Sequence, residues 1–394
     1  MKKPDCRILG MVAVAVVFMG ASSCKGNGCE GGLISVNYKQ IPQGEDVLLS
    51  EWVHEPEFIA LQSDRAEALV EINSIRVSEN YIAVIPLRAV SKMFDRATGE
   101  YLYDIGAVGR GPGEYIGIDE MIIDEAHGRI LLSNSPQGQL LAYSLKDGAF
   151  IGEIPMAYGW KTGYNPEYVF ALENGTDGIM VATVPFDDGC PLAAWCQDDE
   201  GNILWEIPKN YTLADNSSLS VTAGHNIDGA LDMSYRSFNT VRDTLFILQD
   251  REIHPLLTIA TGTPTGPGFP ELSKEGNIFQ FSTILTAHIV TQIMTMRGLG
   301  PDGGADTKYI VTDRLTREVA FRKFRNDYLA QDDVSVAFRD GYLFDYFDPV
   351  DFQEIARNAL QHGRLNEASV HSLSTILGNI KDNDNYIIML SRLK

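Results

Sequence analysis

Residues 92–121 read KMFDRATGEYLYDIGAVGRGPGEYIGIDEM, and residues 122–144 continue IIDEAHGRILLSNSPQGQLLAYS. The stretch holds a strand, a tight turn, a second strand, a glycine-rich crossover and a further set of strands. Apolar residues alternate with polar ones between turns rich in Gly, Asp and Asn. That pattern predicts half-buried antiparallel β structure.

Working outward, the pattern recurs. Phe94, Gly99 and Ile105 align with Tyr143, Gly148 and Ile154, each 49 residues on. Gly148 to Gly201 and Ile154 to Ile207 are steps of 53, and Ile207 to Ile259 is a step of 52. Repeats of that length imply β-sheets stacked radially, because one small sheet cannot bury both of its faces alone. Ile72–Val84 predicts a hairpin turning at Glu79-Asn80. Six units can be counted, the fifth through ILTAHIVTQIMTMRG and the sixth beginning at Val334. A short strand within residues 33–60 is expected to complete the last sheet and hide its free edge. Phe352–Leu360 and Ser369–Ile380 carry helical spacing before a final strand, Asn385–Lys394. The fold class is therefore all-β, a six-bladed β-propeller of four-stranded antiparallel blades with short C-terminal helical insertions.

The N-terminus reads as an address. Lys2, Lys3 and Arg7 precede the apolar run Ile8–Gly20, which is too short to span a bilayer as a helix. Ala21, Ser22 and Ser23 then lead to Cys24. This is the anatomy of a bacterial lipoprotein signal, with residues 1–23 removed and Cys24 acylated, which anchors a chain without spanning the membrane. Residues 24–32 form a polar, Gly-rich tether, and residues 33–394 a single domain. The expected location is the cell envelope, on the outer membrane, with the face undetermined.

The chain has 394 residues, 44% of them hydrophobic and 22% charged, which predicts a folded protein. Its net charge of −21 becomes −23 once the signal removes three basic side chains and one acidic one. That balance excludes a general phosphate-backbone binder, so no nucleic-acid partner is expected. Cys190 and Cys196 flank PLAAW. They are either a disulfide, which an exported compartment permits, or two buried thiols.

The signal ending in Cys24, the segment FDRATGEYLYDIG followed by GRGPGEY (109–115), and the terminal YIIMLSRLK together resemble a known group. It is the six-bladed β-propeller lipoproteins of gut anaerobes, similar in shape to NHL-repeat propellers. The resemblance covers nearly all of the mature chain. It implies the propeller fold and carries over no catalytic residues.

The crossover GRGPGE lacks the Gly-Lys-Ser/Thr ending of a phosphate loop and does not open a helix. It reads as a blade-to-blade connection whose glycines supply positive φ. Arg110, Glu114 and Tyr115 on it are nevertheless polar groups that can hydrogen-bond or stack on a sugar or peptide. Arg88, His225, Tyr235 and Arg236 are the other candidate ligand-binding side chains. Trp160, Tyr164, Trp195 and Trp205 are either sugar platforms or packing between sheets. No catalytic, metal or cofactor motif is present, and no cofactor is expected. The functional expectation is a lipid-anchored, non-catalytic propeller that binds a glycan, peptide or partner protein on one face. Two alternatives stand beside it: a lyase or hydrolase acting on a sugar or peptide in a central funnel, and a structural subunit of an envelope complex.

Overall fold

A computed structural model describes residues 32–394 apart from 119, 135–138, 158–167, 173–177, 184–191, 209–218, 228–229, 238–241, 261–276 and 298–303. Cys24, Cys29, Cys190, Trp160, Tyr164, the proposed signal and nearly all of the tether lie outside the described residues.

The described residues are mostly β, and six antiparallel sheets follow one another along the chain. The first comprises Ser74–Val77, Tyr81–Ile85, Ser91–Asp95 and Tyr101–Ile105. The second comprises Met121–Asp124, Arg129–Asn134, Gln139–Ser144 and Phe150–Pro155. The third holds Tyr168–Leu172, Ile179–Thr183, Leu192–Gln197 and Ile203–Pro208. Longer strands build the fourth: Leu219–Ile227, Ala230–Ser237, Arg242–Gln249 and Glu252–Ala260. Asn277–Ile284, His288–Arg297, Gly304–Asp313 and Val319–Arg322 make the fifth. The run read as ILTAHIVTQIMTMRG is thus split between two strands, with its turn at Leu285–Ala287.

The sixth sheet joins the chain's two ends. Its strands are Phe338–Arg339, Tyr342–Phe347, Ile387–Arg392 and, at the outer edge, Glu57–Ala60. Glu57 pairs with Leu390 and Ala60 with Ile387. The expected N-terminal closing strand is therefore Glu57–Ala60. The hairpin from Arg339 to Tyr342 turns through Asp340 and Gly341, both at positive φ (53° and 82°). This is the primed two-residue turn that matches strand twist.

Two earlier segments do something the alternation does not announce. Ile34–Asn37 adds a parallel fifth strand to the fourth sheet, against Leu257–Ala260. Gln43 then bridges Phe321 of the fifth sheet, and Val47–Leu48 pairs in parallel with Phe324–Arg325. Residues 34–44 thus form a strap along the outer edges of the fourth and fifth sheets, and Val47–Leu48 joins a separate short sheet with Phe324–Asn326 and Gln331–Val334.

Period-2 patterning places alternate side chains in different cores. In the first sheet Ile82 and Val84 pack with Ile388 and Leu390 of the sixth. Their neighbours Ala83 and Ile85 pack with Ile130, Leu132 and Leu141 of the second. Leu131 and Leu140 of the second sheet meet Ile179, Leu192 and Trp195 of the third. Leu245 and Ile247 of the fourth meet Ile284, Ile289 and Ile310 of the fifth. Val290 and Val311 of the fifth meet Leu343, Phe347 and Met389 of the sixth. Each fully buried side chain of this size contributes about 1.5–3 kcal/mol, so the shared cores carry the fold.

The repeated glycine has a geometric reason. Gly99, Gly148 and Gly201 all have positive φ (75°, 70° and 80°). A Cβ at each would approach a carbonyl oxygen of another sheet's outer strand: Ala60 at 2.1 Å, Asp104 at 2.2 Å and Pro155 at 2.8 Å. The fifth sheet repeats the turn in sequence, Asp313-Arg-Leu-Thr-Arg-Glu318 against Asp95-Arg-Ala-Thr-Gly-Glu100. The hydrogen bonds recur with it: Asp95 N to Glu100 O at 2.8 Å and Asp313 N to Glu318 O at 2.9 Å.

Helices Pro349–His362 and Glu367–Asn379 sit between strands of the sixth sheet in sequence. Asp348 and Asn366 cap them through side-chain bonds to Val350 N, Asp351 N and Ser369 N. Phe352, Ala356, Ala359 and Leu373 are buried in the core shared with the fifth and sixth sheets. Among the described residues no helix is long and apolar enough to cross a membrane.

Candidate functional site

The first strands of the sheets lie beside one another. Ser74–Val77 neighbours Met121–Asp124, and Leu219–Ile227 neighbours Tyr168–Leu172, Asn277–Ile284 and Phe338–Arg339. Charged side chains converge on this region.

Glu120, just before the first strand of the second sheet, accepts from Arg76 through Nε (2.9 Å) and Nη2 (2.6 Å) and from Arg339 Nη2. Arg76 comes from the first sheet and Arg339 from the sixth, so one carboxylate ties three sheets. The other guanidinium nitrogen of Arg76 donates to Ser74 Oγ (2.7 Å) and Ile75 O (2.8 Å). Asp340 stands 3.7 Å from Arg339 Nε. Asn226, from the first strand of the fourth sheet, accepts from Gly341 N at 3.2 Å. Its buried Nδ2 has no acceptor among the described residues.

Electrostatics follow from this packing. Burial alone would raise the pKa of Glu120, but the charges and hydrogen bonds of Arg76 and Arg339 outweigh it and hold the carboxyl below its ordinary range. Burial draws Arg76 below its ordinary value; Glu120 opposes that and Arg339 adds to it. A charge-assisted network with its buried carboxylate shared by two guanidiniums orders the groups that carry it. A general base needs a pKa near the working pH, which Glu120 does not have. Among the described residues no group of three or more His, Cys, Asp or Glu side chains is placed to hold a metal ion.

The residues singled out from sequence fall elsewhere. Arg88 is exposed between two strands of the first sheet, and Arg110 is exposed in the crossover. Glu114 Oε2 accepts from Gly111 N at 2.7 Å. A Cβ at Gly109 would stand 2.0 Å from that oxygen. Gly109 thus makes room for the Glu114 carboxylate, while Gly113 supplies a positive φ of 71°. Tyr115 is 2% exposed; its hydroxyl donates to Ile105 O (2.8 Å) and accepts from Ser91 N (2.9 Å). The crossover is tied to itself and to the first sheet.

His225 lies in Leu219–Ile227 and Tyr235 and Arg236 in Ala230–Ser237; what their side chains meet is outside the described residues. Cys196 is buried in the third sheet. Trp195 is fully buried and donates from Nε1 to Gln197 Oε1 at 2.9 Å. The Trp205 ring lies under Arg251 of the fourth sheet at 5.5 Å. Trp195 packs, and Trp205 is half-buried on the outer strand.

Sequence reasoning missed Arg76, Glu120 and Arg339. Ile75-Arg76-Val77 keeps the apolar-polar-apolar alternation of a half-buried strand, which assigns Arg76 to the polar face, so the sequence carried no local signal of its burial.

Among solved structures, the chain is similar to a protein from Bacteroides fragilis NCTC 9343 described as exported. Identity is 16%, coverage 92% of this chain and 99% of that one, and the TM-score 0.57. It is also similar to a member of the DUF4221 family from Bacteroides vulgatus ATCC 8482, at 13% identity, 87% and 97% coverage and a TM-score of 0.45. No curated protein matches. Residues 33–392 match the family described as a domain of unknown function, DUF4934. The match spans almost the whole chain, which belongs to the DUF4934 family.

Proposed function

We propose that this is an exported, lipid-anchored, six-bladed β-propeller that binds a glycan, peptide or partner protein without catalysis. Several features support the ring. Middle strands such as Leu192–Gln197 are buried along their length, as sheets covered on both faces must be. Shared cores run from the sixth sheet to the first, second and third, and from the fourth through the fifth to the sixth. Arg251 over Trp205 links the third sheet to the fourth. Export and acylation at Cys24 rest on the signal anatomy, in keeping with the exported description of the Bacteroides fragilis neighbour. The non-catalytic part is carried by Glu120: the buried carboxylate where first strands meet is committed to two arginines.

Binding assays against glycan fragments and peptides, with product analysis by mass spectrometry, test the reading. Binding without turnover is expected; turnover lost in Glu120→Gln would overturn it. Labelled palmitate should enter the wild-type chain and not Cys24→Ala, and an unlabelled wild type would remove the anchor.

A further inference from the structure

The outer edges of the sheets are treated unequally. The strap 34–44 lies along the fourth and fifth sheets, and Glu57–Ala60 is the edge of the sixth. The outer strands of the first three sheets end their sheets with no further strand among the described residues. The same register position shows the consequence. Three residues after the turn glycine stand Leu102, Ile151 and Leu204, which are 38%, 60% and 53% exposed. Three residues after the matching Arg317 stands Ala320, 1% exposed. It lies under the strap, where a Cβ at Gly44 would be 2.9 Å from Ala320 Cβ. Phe150 and Ile203 extend the bare apolar positions.

We infer that the bare rim of the first three sheets docks an extended segment of a partner chain, laid across the outer strands as residues 34–44 are laid across the fourth and fifth. The inference rests on the non-catalytic binding reading and selects its partner. Charge sets the segment's chemistry: Glu100, Asp147, Glu153, Glu200 and Glu206 are exposed along these turns and strands, against Lys146 and the Arg251 guanidinium over Trp205. The fitting occupant has aliphatic residues at alternate positions and lysine or arginine between them. A second copy of the chain would bring the same acidic rim and a net charge of −21 to the contact.

The test uses the full chain and a synthetic 14-residue peptide of alternating valine and lysine, read by fluorescence anisotropy. A proline-interrupted version of the peptide cannot form the strand. Expected are saturable binding to the regular peptide and at least tenfold weaker binding to the interrupted one. A similar loss is expected in the triple variant Leu102→Ser, Ile151→Ser, Leu204→Ser, and none in Leu315→Ser, an exposed residue of the fifth sheet's turn. Equal affinity for both peptides, an unaffected triple variant or no binding overturns the proposal. So does a dimer in sedimentation that Ile151→Ser dissolves, which would make a second copy the occupant. Turnover of any bound ligand would refute the non-catalytic reading and leave these rim measurements standing.

Discussion

Substituting alanine at Gly148 tests the packing of one sheet on the next. Two costs separate cleanly there. The backbone sits at φ 70°, and an L side chain in the left-handed region costs about 1–2 kcal/mol. The new methyl would also lie 2.2 Å from Asp104 O and 2.7 Å from the Tyr103 ring, so the first and second sheets must part. Overpacking of that kind costs about 1–3 kcal/mol more. The expected total for Gly148→Ala is about 2–5 kcal/mol. Gly128→Ala is the control: its φ is 63°, and nothing lies within 4 Å of the added Cβ. Only the backbone cost applies, about 1–2 kcal/mol. Gly152→Ala, with open space and no positive φ, should stay within roughly 0.5 kcal/mol of wild type. Urea unfolding followed by tryptophan fluorescence gives all three differences from the midpoints at a common slope. If Gly148→Ala costs no more than Gly128→Ala, the close approach of turn to strand is wrong, and with it the physical reason for the repeated glycine.

Other outcomes follow from single groups. Glu120→Ala leaves the buried Arg76 guanidinium and the half-buried Arg339 guanidinium without their shared carboxylate and should cost about 3–5 kcal/mol in urea unfolding; a loss under 1 kcal/mol would show the cluster to be solvated. Tyr115→Phe removes the acceptor of the buried Ser91 amide and should cost about 1–3 kcal/mol, checked by the same titration. Asp345 is pushed up to about 6 by burial, against an ordinary 3.8, with Tyr346 N its hydrogen-bond donor. The native state therefore binds the extra proton between about pH 4 and 6, and stability falls as pH rises through that window. Asp345→Asn should be more stable than wild type by up to about 3 kcal/mol at pH 7.5. That gain should shrink toward zero as pH approaches 4. A gain independent of pH would refute the assignment.

The repeat was legible because one physical demand recurs. Wherever a turn presses on another sheet's outer strand, as at Gly99, Gly148 and Gly201, only glycine fits, and the spacing of those glycines marks the sheets. The signal fades in the fifth sheet, where Arg317 takes the position at φ 65°, and where Leu285–Ala287 turns without Gly, Asn or Asp. The strap was illegible for another reason. Ile34–Asn37 looks like any short strand, and its partners Leu257–Ala260 are more than two hundred residues away. The same distance problem hid the charged cluster. Arg76 and Glu120 are 44 residues apart and Arg339 is 219 beyond Glu120, so no local motif joins them. The crossover GRGPGEY drew attention through its composition, yet its glycines and tyrosine are used to hold the connection itself.

Apolar burial and the ion cluster do different work in this architecture. The cores between sheets are non-directional: Ile, Leu and Val side chains gain nearly the same free energy over a range of small rotations. They hold neighbouring sheets together without fixing each one's angle sharply. The first strands are where directional contacts have the longest reach, because there Leu219–Ile227 neighbours strands of three other sheets. Glu120 exploits that place. It joins its own sheet to the first through Arg76 and to the sixth through Arg339, while Asn226 joins the fourth to the turn after Arg339. Hydrogen bonds with fixed donor directions penalise rotation that the aliphatic cores would tolerate. The desolvation this requires makes the cluster a poor source of net stability. What it adds is direction, since turning the second sheet against the first or the sixth would break a charge-assisted bond at Glu120.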